Sequence, residues 1–534
     1  MKTLCLLFAF GSFFLMSNIL FASDKPDNIQ RKVTNVFDMQ ENTVSNVDFF
    51  NSNFGIFGLN SEFKKCGVFW PRGTENSYLF ASGIWFAAVK YIPDSSKYMK
   101  MVSITYNPNN GRSWFVPGRI EDCDTISNDS FTKYRIYFSA DFARYNGNPI
   151  DPSDGPAWPL WRKGETPYPY LTGSEDYVKD TTRRNRTKYP IGPNMFSDED
   201  VITTFKDTDL SVYDGGSQNR RNMGYPLRLQ FDQRIFSWTK NKPLSDAIIL
   251  SYAITNTSKD TLADCYFGGI YDIDLMFGSN NKGVGNDRIR YYQEDPTLNL
   301  FIGWTGTEMG ELGKGFGYIG VSFIETPSVD ANQKITHQNT PINPENQIGM
   351  TGFRNWTISE DINRDDERYA FMAGKNFDGD SGPKDCRSGM FTGPFTFLPG
   401  ESTRIAVLIV FAMPSVKPEA DGSMADLADL VNKVKFARKF YYDPTTSEVK
   451  GTGDESGFSV SPSPATDFIE ISDINRRVNP TVDNSSIKIF NVFGQAVLSV
   501  GTIHELPLRI NTSALPLGVY FVRIGDRVSK FVKI

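Results

Sequence analysis

Short stretches in which apolar and polar residues alternate, separated by clusters of turn-forming residues, recur along most of this chain. For example, Leu250, Tyr252 and Ile254 occupy every second position, and the turn-like sequence NTSKD comes directly after them. A period of two places successive side chains on opposite faces of a strand, and aromatic and β-branched residues favour strands. The 42 Phe and 23 Tyr are interspersed with 44 Gly and 30 Pro. This pattern predicts a mainly all-β protein built of β-sandwich domains.

Particular stretches make the strand prediction specific. Residues 77–92 and 101–106 have the strand pattern, and 404–413 is a continuous apolar run that indicates a strand covered on both faces. Residues 247–256 and 262–273 are predicted to pair with each other as a hairpin across the NTSKD turn.

One amphipathic helix is predicted near 423–442, where apolar residues recur at helical spacing and Ser423 is placed to cap the first turn. We expect it to pack on the sandwich or to separate the sandwich from the C-terminal part of the chain. Residues 116–225 are more irregular. Their Pro-rich part, 146–170, is predicted to be a long loop held by Trp158 and Trp161 or a flexible connection, because each Pro fixes φ and removes a backbone donor.

Composition shifts along the chain suggest five segments. They are a signal peptide (1–22), an N-terminal β-rich region with the long loop (24–225), a β-sandwich ending in the helix (226–443), a polar Gly-containing linker (444–457), and a C-terminal β-sandwich of about seven strands (458–534).

The N-terminus has the three parts of a secretory signal peptide. Lys2 provides the positive charge, an apolar run extends from Leu4 to Phe21, and Ala22 or Ser23 provides a small residue for cleavage. A membrane anchor is the alternative, because the run approaches spanning length. Export would permit disulfides. Cys66, Cys123, Cys265 and Cys386 allow three pairings, or could remain free buried thiols.

Four motifs occur in order in the C-terminal segment: PSPATDFIEI, IKIFNVFGQAV, LPLGVYFVRI and the basic ending SKFVKI. On these motifs, residues 458–534 resemble the type A C-terminal sorting domain of the type IX secretion system of Bacteroidota. The residues that carry the resemblance are Pro462, Pro464, Gly494, Gly518, Tyr520, Lys530 and Lys533. Ser463 stands where the family prefers Asn.

The resemblance implies a specific export route. It implies Sec-dependent transfer to the periplasm and then passage through an outer-membrane translocon, which reads the domain. In the family the domain is often cleaved, and the body is released or attached to surface lipopolysaccharide. The alternative is an Ig-like adhesive module with no sorting role. The body also resembles uncharacterised secreted proteins with the same sorting domain, and this resemblance implies no activity.

Acidic residues at alternate positions offer the best candidates for a bound cation. Asp272 and Asp274 lie in one strand-like stretch. Two further stretches, which we call the acidic turns, contain Asp361, Asn363 and Asp365, and Asn376, Asp378 and Asp380. Alternating oxygen side chains in a tight turn can face one hard cation, so Ca²⁺ is the candidate. None matches an EF-hand loop, and ordinary turns are also rich in Asp, Asn and Gly.

The sequence leaves few options for catalysis and predicts no catalytic residue. It contains two His, so a zinc site of two or three His and a Ser-His-Asp triad are both disfavoured. The net charge of −6 disfavours nucleic acid as a partner. Trp158, Trp161 and Trp304 could stack on sugars, although aromatics more often pack inside the protein.

The favoured hypothesis is therefore an exported, non-catalytic cell-surface or secreted protein for adhesion, envelope structure or glycan binding. The alternative is a secreted polysaccharide hydrolase that uses two carboxyl groups.

Overall fold

The computed structural model describes most of the body and the C-terminal unit. The described residues are 37–42, 44–60, 65–93, 96–121, 123–126, 134–138, 177–178, 192–193, 196–239, 244–277, 284–305, 316–336, 346–380, 382–413, 427–442, 458–462, 465–473, 486–491, 495–502, 508–524 and 527–533. The predicted signal peptide, the linker 444–457 and the Pro-rich stretch 146–170 lie outside them. Among the described residues, no helix has the length and apolar character that crossing a bilayer requires.

The chain divides into two compact units, Met1–Thr446 and Ser447–Ile534. The division falls inside the predicted linker. Both units are mostly β, so the all-β fold prediction is confirmed.

The first unit, the body, contains two large antiparallel sheets. The first sheet consists of β1 (Met39–Glu41), β2 (Asp48–Ser52), β5 (Val68–Phe69), β6 (Asn76–Ile92), β7 (Lys97–Ile104), β15 (Leu262–Phe277), β19 (Gly352–Thr357) and β20 (Cys386–Phe397). The second consists of β8 (Val116–Pro117), β9 (Tyr137–Phe138), β12 (Glu199–Lys206), β13 (Leu229–Ser237), β14 (Ala247–Asn256), β16 (Arg288–Tyr291), β17 (Leu300–Trp304), β18 (Tyr318–Glu325) and β21 (Ser402–Ala412).

Small elements complete the body. They are the strand pairs β3 (Leu59–Asn60) with β4 (Lys65–Cys66) and β10 (Tyr177–Val178) with β11 (Gly192–Pro193), and the helices α1 (Ser217–Asn222), α2 (Asp365–Met372) and α3 (Ala428–Tyr442).

The two large sheets pack face to face through aromatic side chains. Phe86 of β6 lies 6.5 Å, between ring centroids, from Phe231 of β13, and Tyr252 of β14 lies 5.9 Å from Phe267 of β15. The second sheet has α3 on its other face, where Leu430, Val434, Ala437 and Tyr441 are buried against it. The body is therefore a sandwich of two sheets with a helix as a third layer.

The sandwich explains why β21 is a continuous apolar run. This strand lies between β14 and β18, with the first sheet over one face and α3 over the other. The predicted strand at 404–413 and the packing of the predicted helix on the sheet are both confirmed. The proposed cap at Ser423 lies outside the described residues.

The predicted hairpin between 247–256 and 262–273 is wrong. Both strands exist, but β14 pairs with β13 and β21, whereas β15 pairs with β6 and β20. The NTSKD turn therefore connects the two sheets. Both strands are buried on both faces, so each needs two neighbours, and the alternation that identifies a strand does not identify its partners.

The expected division between 24–225 and 226–443 does not separate structural units. Strands from both sides of residue 225 lie in each large sheet. Within the stretch read as irregular, β12 is a fully buried strand of the second sheet, and it contains Glu199, Asp200 and Lys206. Because these charged residues interrupt the apolar pattern, apolar periodicity does not identify β12 as a strand.

The second unit is a small two-sheet sandwich. Its strands are β22 (Phe458–Ser461), β23 (Phe468–Asp473), β24 (Ser486–Asn491), β25 (Ala496–Thr502), β26 (Leu508–Asn511), β27 (Gly518–Ile524) and β28 (Arg527–Lys533). They form a three-stranded sheet, β22-β23-β26, and a four-stranded sheet, β25-β24-β27-β28. Isoleucines 469, 471, 487 and 489 form much of its core, as the period of two requires.

Candidate functional site

Strand β15 places two aspartates on the outer face of the first sheet. The ring of Tyr271 packs 5.4 Å from Phe301 of the second sheet, so Tyr271 faces the sandwich interior. Asp272 and Asp274 lie on alternate positions of the strand and share the opposite face. They are only 6% and 8% exposed, so other parts of the body cover this face.

Strand β20 brings a cation beside the first of these aspartates. Arg387 lies opposite Asp272 in the strand register, with its Nε 3.5 Å from Asp272 Oδ2. Its Nη1 donates to Asp361 Oδ2 at 2.5 Å, and Tyr106 donates its hydroxyl to Asp272 at 3.2 Å. One guanidinium is thus shared by two carboxylates.

A third aspartate converges on the same point. One carboxylate oxygen from each of Asp272, Asp274 and Asp385 lies within 4.8 Å of the other two. We call these three residues the carboxylate cluster. Asp385 is half-buried, which leaves the cluster a route to solvent. Among the described residues, no other group of three His, Cys, Asp or Glu converges in this way.

Asp385 was missed by the sequence reasoning. The available signal was the spacing of Asp385 and Arg387, because alternate residues at the start of a strand share a face. That signal is weak without knowing that β20 lies beside β15.

Burial dominates the electrostatics of the cluster. It raises the pKa of Asp272 to about 6, although Arg387 and Tyr106 act in the opposite direction. Burial raises the pKa of Asp274 well above its ordinary value, and the charges of Asp272 and Asp385 raise it further. The buried Cys66 thiol also has a raised pKa, first from burial and then from Asp274.

The partners of the two buried aspartates differ. Asp272 receives Tyr106 and Arg387, whereas no described residue donates a hydrogen bond or forms an ion pair with the carboxylate of Asp274. Ser77 donates instead to the backbone carbonyl of Asp274. A largely buried carboxylate with no protein donor is costly, because it loses most of its hydration and gains no hydrogen bond in return.

The first acidic turn does not place its oxygens around one point. Asp361 accepts hydrogen bonds from Arg387 and from Trp356 Nε1, the latter at 2.8 Å. Asp365 is buried in α2, and Asn363 is exposed. The partners of Asp365 are Arg220 at 2.5 Å, Arg368 at 3.4 Å and the hydroxyl of Tyr225 at 2.6 Å.

The second acidic turn is also held by arginines. Asp378 accepts from Arg354 Nε at 3.1 Å and from the backbone of Asn355 at 2.9 Å. Asp380 accepts from Arg288 at 2.6 Å, and Asn376 is exposed. The candidate aspartates of both turns therefore each have a guanidinium partner, which the carboxylate of Asp274 lacks.

Trp304 and three of the four body cysteines are part of the packed interior. Trp304 is 1% exposed, so it packs inside the body, whereas Trp158 and Trp161 lie outside the described residues. The four body cysteines are free thiols: Cys66, Cys265 and Cys386 are buried and Cys123 is partly exposed. Burial raises the pKa of the Cys386 thiol to about 12, which leaves it unreactive at neutral pH.

Among the residues of the predicted sorting motif, Tyr520 packs in the core of the second unit. The ring of Tyr520 stacks on Phe531, with centroids 5.6 Å apart, and its hydroxyl donates to the carbonyl of Pro516. Gly518 begins β27, and Lys533 is buried. Pro462 is exposed, and Lys530 lies in β28, while Pro464 and Gly494 lie outside the described residues.

Two solved structures show weak similarity to this chain. A polysaccharide lyase is 9% identical with a TM-score of 0.23 over 93% of this chain, which spans 46% of the lyase. The adhesin domain of Epf from Streptococcus pyogenes is 9% identical with a TM-score of 0.11, over 54% of this chain and 79% of that domain. Both TM-scores lie below 0.5, where a likeness supports neither a shared fold nor a shared function.

Sequence comparison is specific for the second unit. No curated protein matches the chain. Residues 459–534, however, match the family described as the secretion system C-terminal sorting domain, the range in which the four motifs and the small sandwich lie. The chain is therefore a protein with a type IX secretion C-terminal sorting domain at residues 459–534.

Proposed function

We propose that the body is a non-catalytic β-sandwich displayed on the cell surface or released, after export by the type IX secretion system. The match of residues 459–534 to the sorting-domain family carries the proposal. Residues 1–22 supply the Sec signal for the first step to the periplasm, and the outer-membrane translocon binds the sorting domain in the second. The body then serves adhesion, envelope structure or glycan binding, free or attached to lipopolysaccharide.

The burial of the carboxylates supports a non-catalytic role. Glycosidases need two carboxyl groups on either side of a bond that the substrate presents to them. Asp272 and Asp274 are more than nine-tenths buried, and Asp365 is buried between two arginines. In the described part of the body, these three carboxyl groups therefore offer little surface to a polysaccharide chain.

One observation favours the alternative, a carboxylate-dependent polysaccharide hydrolase. The raised pKa values of Asp272 and Asp274 are what a general acid needs near neutral pH. Polysaccharide cleavage by the purified chain that is lost in both Asp272→Asn and Asp274→Asn would establish the hydrolase. Absence of cleavage over a panel of polysaccharides supports the non-catalytic proposal.

An exposed aromatic pair supports glycan binding. Tyr91 and Tyr98 lie opposite each other on β6 and β7, with ring centroids 5.2 Å apart, and they are 45% and 72% exposed. Aromatic faces stack on the apolar faces of sugars, and the two rings, tilted by 54° to each other, offer two adjacent stacking surfaces. A glycan array tests this with Tyr98→Ala, and Ile358→Ala is the matched control because Ile358 is an exposed apolar residue elsewhere. Binding that Tyr98→Ala abolishes and Ile358→Ala retains supports the proposal.

Fractionation of the native host tests the export route. The body is expected outside the cell when the type IX translocon is functional, and in the periplasm when the translocon is inactivated or residues 458–534 are deleted. A full-length chain that stays in the periplasm with a functional translocon would contradict the proposal. A product shortened by about the sorting domain would show that the domain is cleaved.

A further inference from the structure

The charge balance at the outer face of the first sheet is incomplete. Four carboxylates lie there. Three are those of the carboxylate cluster, and the fourth is that of Asp361, which Arg387 links to Asp272. The only guanidinium among these contacts is that of Arg387, which is divided between Asp272 and Asp361. Among the described residues, Asp274 and Asp385 form no ion pair.

Acidic residues often converge on protein surfaces without binding an ion, so the convergence of three aspartates is not by itself evidence of a cation site. The informative residue is Asp274. Its side chain is more than nine-tenths buried, it accepts no hydrogen bond from the described residues, and its oxygen lies within 4.8 Å of oxygens of Asp272 and Asp385. Other buried aspartates of the body have donors: Asp365 has two arginines and Tyr225, and Asp207 has backbone amides.

We propose that Asp272, Asp274 and Asp385 bind one hard divalent cation, with Ca²⁺ as the expected ion. The donors that converge are all carboxylate oxygens, which hard cations such as Ca²⁺ prefer, whereas Zn²⁺ sites favour nitrogen and sulfur. Ca²⁺ takes six to eight oxygens in flexible geometry, so three carboxylates leave positions for water. The half-buried Asp385 marks the side from which the ion and water enter.

The ion would complete the charge balance of the body. It would provide Asp274 with the partner that the protein does not supply, and it would tie β15 to the residue that precedes β20. Its binding would stabilise the folded body over the unfolded chain, in which the three carboxylates are apart. This inference concerns the body alone and does not depend on the export route or on glycan binding.

Calcium titration of the purified full-length chain tests the proposal. After treatment with EDTA and dialysis, CaCl2 is added in a calorimeter, and Tm is measured with and without Ca²⁺. The wild type is expected to bind one equivalent and to gain about 2 °C or more at saturation. Absence of both binding heat and a Tm shift, with Ca²⁺ and with Mg²⁺, would overturn the proposal. A shift with Zn²⁺ alone would also overturn it, because the oxygen-ligand assignment would be wrong.

Asp274→Asn gives an effect of opposite sign in the two conditions. Without metal it removes a repulsive charge, and its amide can donate to the neighbouring carboxylates, so the variant is expected to melt above wild type. With Ca²⁺ it loses the ion and is expected to melt below wild type. Asp378→Asn is the control, because Asp378 has its own arginine and lies outside the cluster. It should retain the full Ca²⁺ shift.

Two further results would contradict the site. An unchanged Ca²⁺ shift in Asp274→Asn would place the ion elsewhere. An Asp274→Asn protein that melts above wild type even in saturating Ca²⁺ would show that no ion neutralises the carboxylates of the cluster. Tb³⁺ luminescence needs no variant. Emission excited through Tyr106, which contacts Asp272, should appear on Tb³⁺ binding and disappear when Ca²⁺ displaces it. Absent emission in a chain that folds would count against the site.

Discussion

The acidic turns and the carboxylate cluster contain the same kind of side chain, but the fold balances their charges differently. In the turns, Asp361, Asp365 and Asp378 each accept from an arginine. In the cluster, one arginine reaches Asp272, and none pairs with Asp274. Alternating aspartates in a sequence therefore do not distinguish an ion-paired turn from a cation site. The distinction depends on whether the fold brings a guanidinium to them.

The largest expected effect comes from removing the charge of Asp365. Its carboxylate balances Arg220 and Arg368, which are 8% and 1% exposed. Asp365→Asn leaves these guanidinium groups buried without a counterion and should lower the free energy of unfolding by about 3 kcal/mol or more. Urea denaturation measures it. The neighbouring Asp366→Asn is the control, because Asp366 is exposed, and its loss should leave the denaturation midpoint unchanged. Equal midpoints for both variants would contradict the comparison.

Asp207 extends the comparison to a carboxylate that neutral groups hold. It is fully buried and accepts from the amides of Leu227 and Leu229 and from Ser103. Burial raises its pKa to about 6, so the folded protein keeps the proton to a higher pH than the unfolded chain does. Its contribution to stability is therefore complete below about pH 4 and is lost as pH rises through about 6, a change of roughly 3 kcal/mol.

The variant Asp207→Asn isolates that contribution. It cannot titrate, so the difference in unfolding free energy between wild type and variant should decrease between about pH 4 and 7. A difference independent of pH would show that Asp207 is ionised throughout.

Asp361 connects the two regions, because it shares Arg387 with the cluster. Asp361→Asn should cost about 1 kcal/mol, less than Asp365→Asn, because Arg387 keeps Asp272 as a counterion when the charge of Asp361 is removed. In the variant, Asp272 would be the remaining ion-pair partner of Arg387. Because the guanidinium would then neutralise more of the charge of Asp272, Ca²⁺ binding should weaken by about three- to tenfold. Calorimetry of the variant measures both changes. Unchanged Ca²⁺ affinity would show that Arg387 does not couple the turn to the cluster.

The smallest effect is expected at the exposed end of the acidic turns. The side chains of Asp378 and Arg354 are 32% and 26% exposed, so water screens their ion pair. Asp378→Asn should cost less than about 1 kcal/mol, and added salt should reduce the difference. A loss of unfolding free energy as large as that of Asp365→Asn would mean that solvent exposure does not determine how much these ion pairs stabilise the fold.

Much of the fold could be predicted because its signals are local. The period of two at Ile469 and Ile471, and the helical spacing of Leu430, Val434 and Tyr441, predicted which side chains the core receives. The strand β12 was missed, because Glu199, Asp200 and Lys206 are buried in it and apolar periodicity does not register them. The hairpin was wrong because strand pairing depends on residues far away in the chain.

The candidate site was predictable only in part, for the same reason. Asp272 and Asp274 were found from their spacing, whereas Asp385 joins them through the pairing of β15 with β20. The sequence by itself determined the β class, the strands and helix with a clear apolar period, and the export module. The tertiary structure decided which sheet each strand entered and which aspartates received an arginine. Apolar alternation acts between neighbours in the chain, whereas Arg220 reaches Asp365 across 145 positions, and only folding brings such charges into contact.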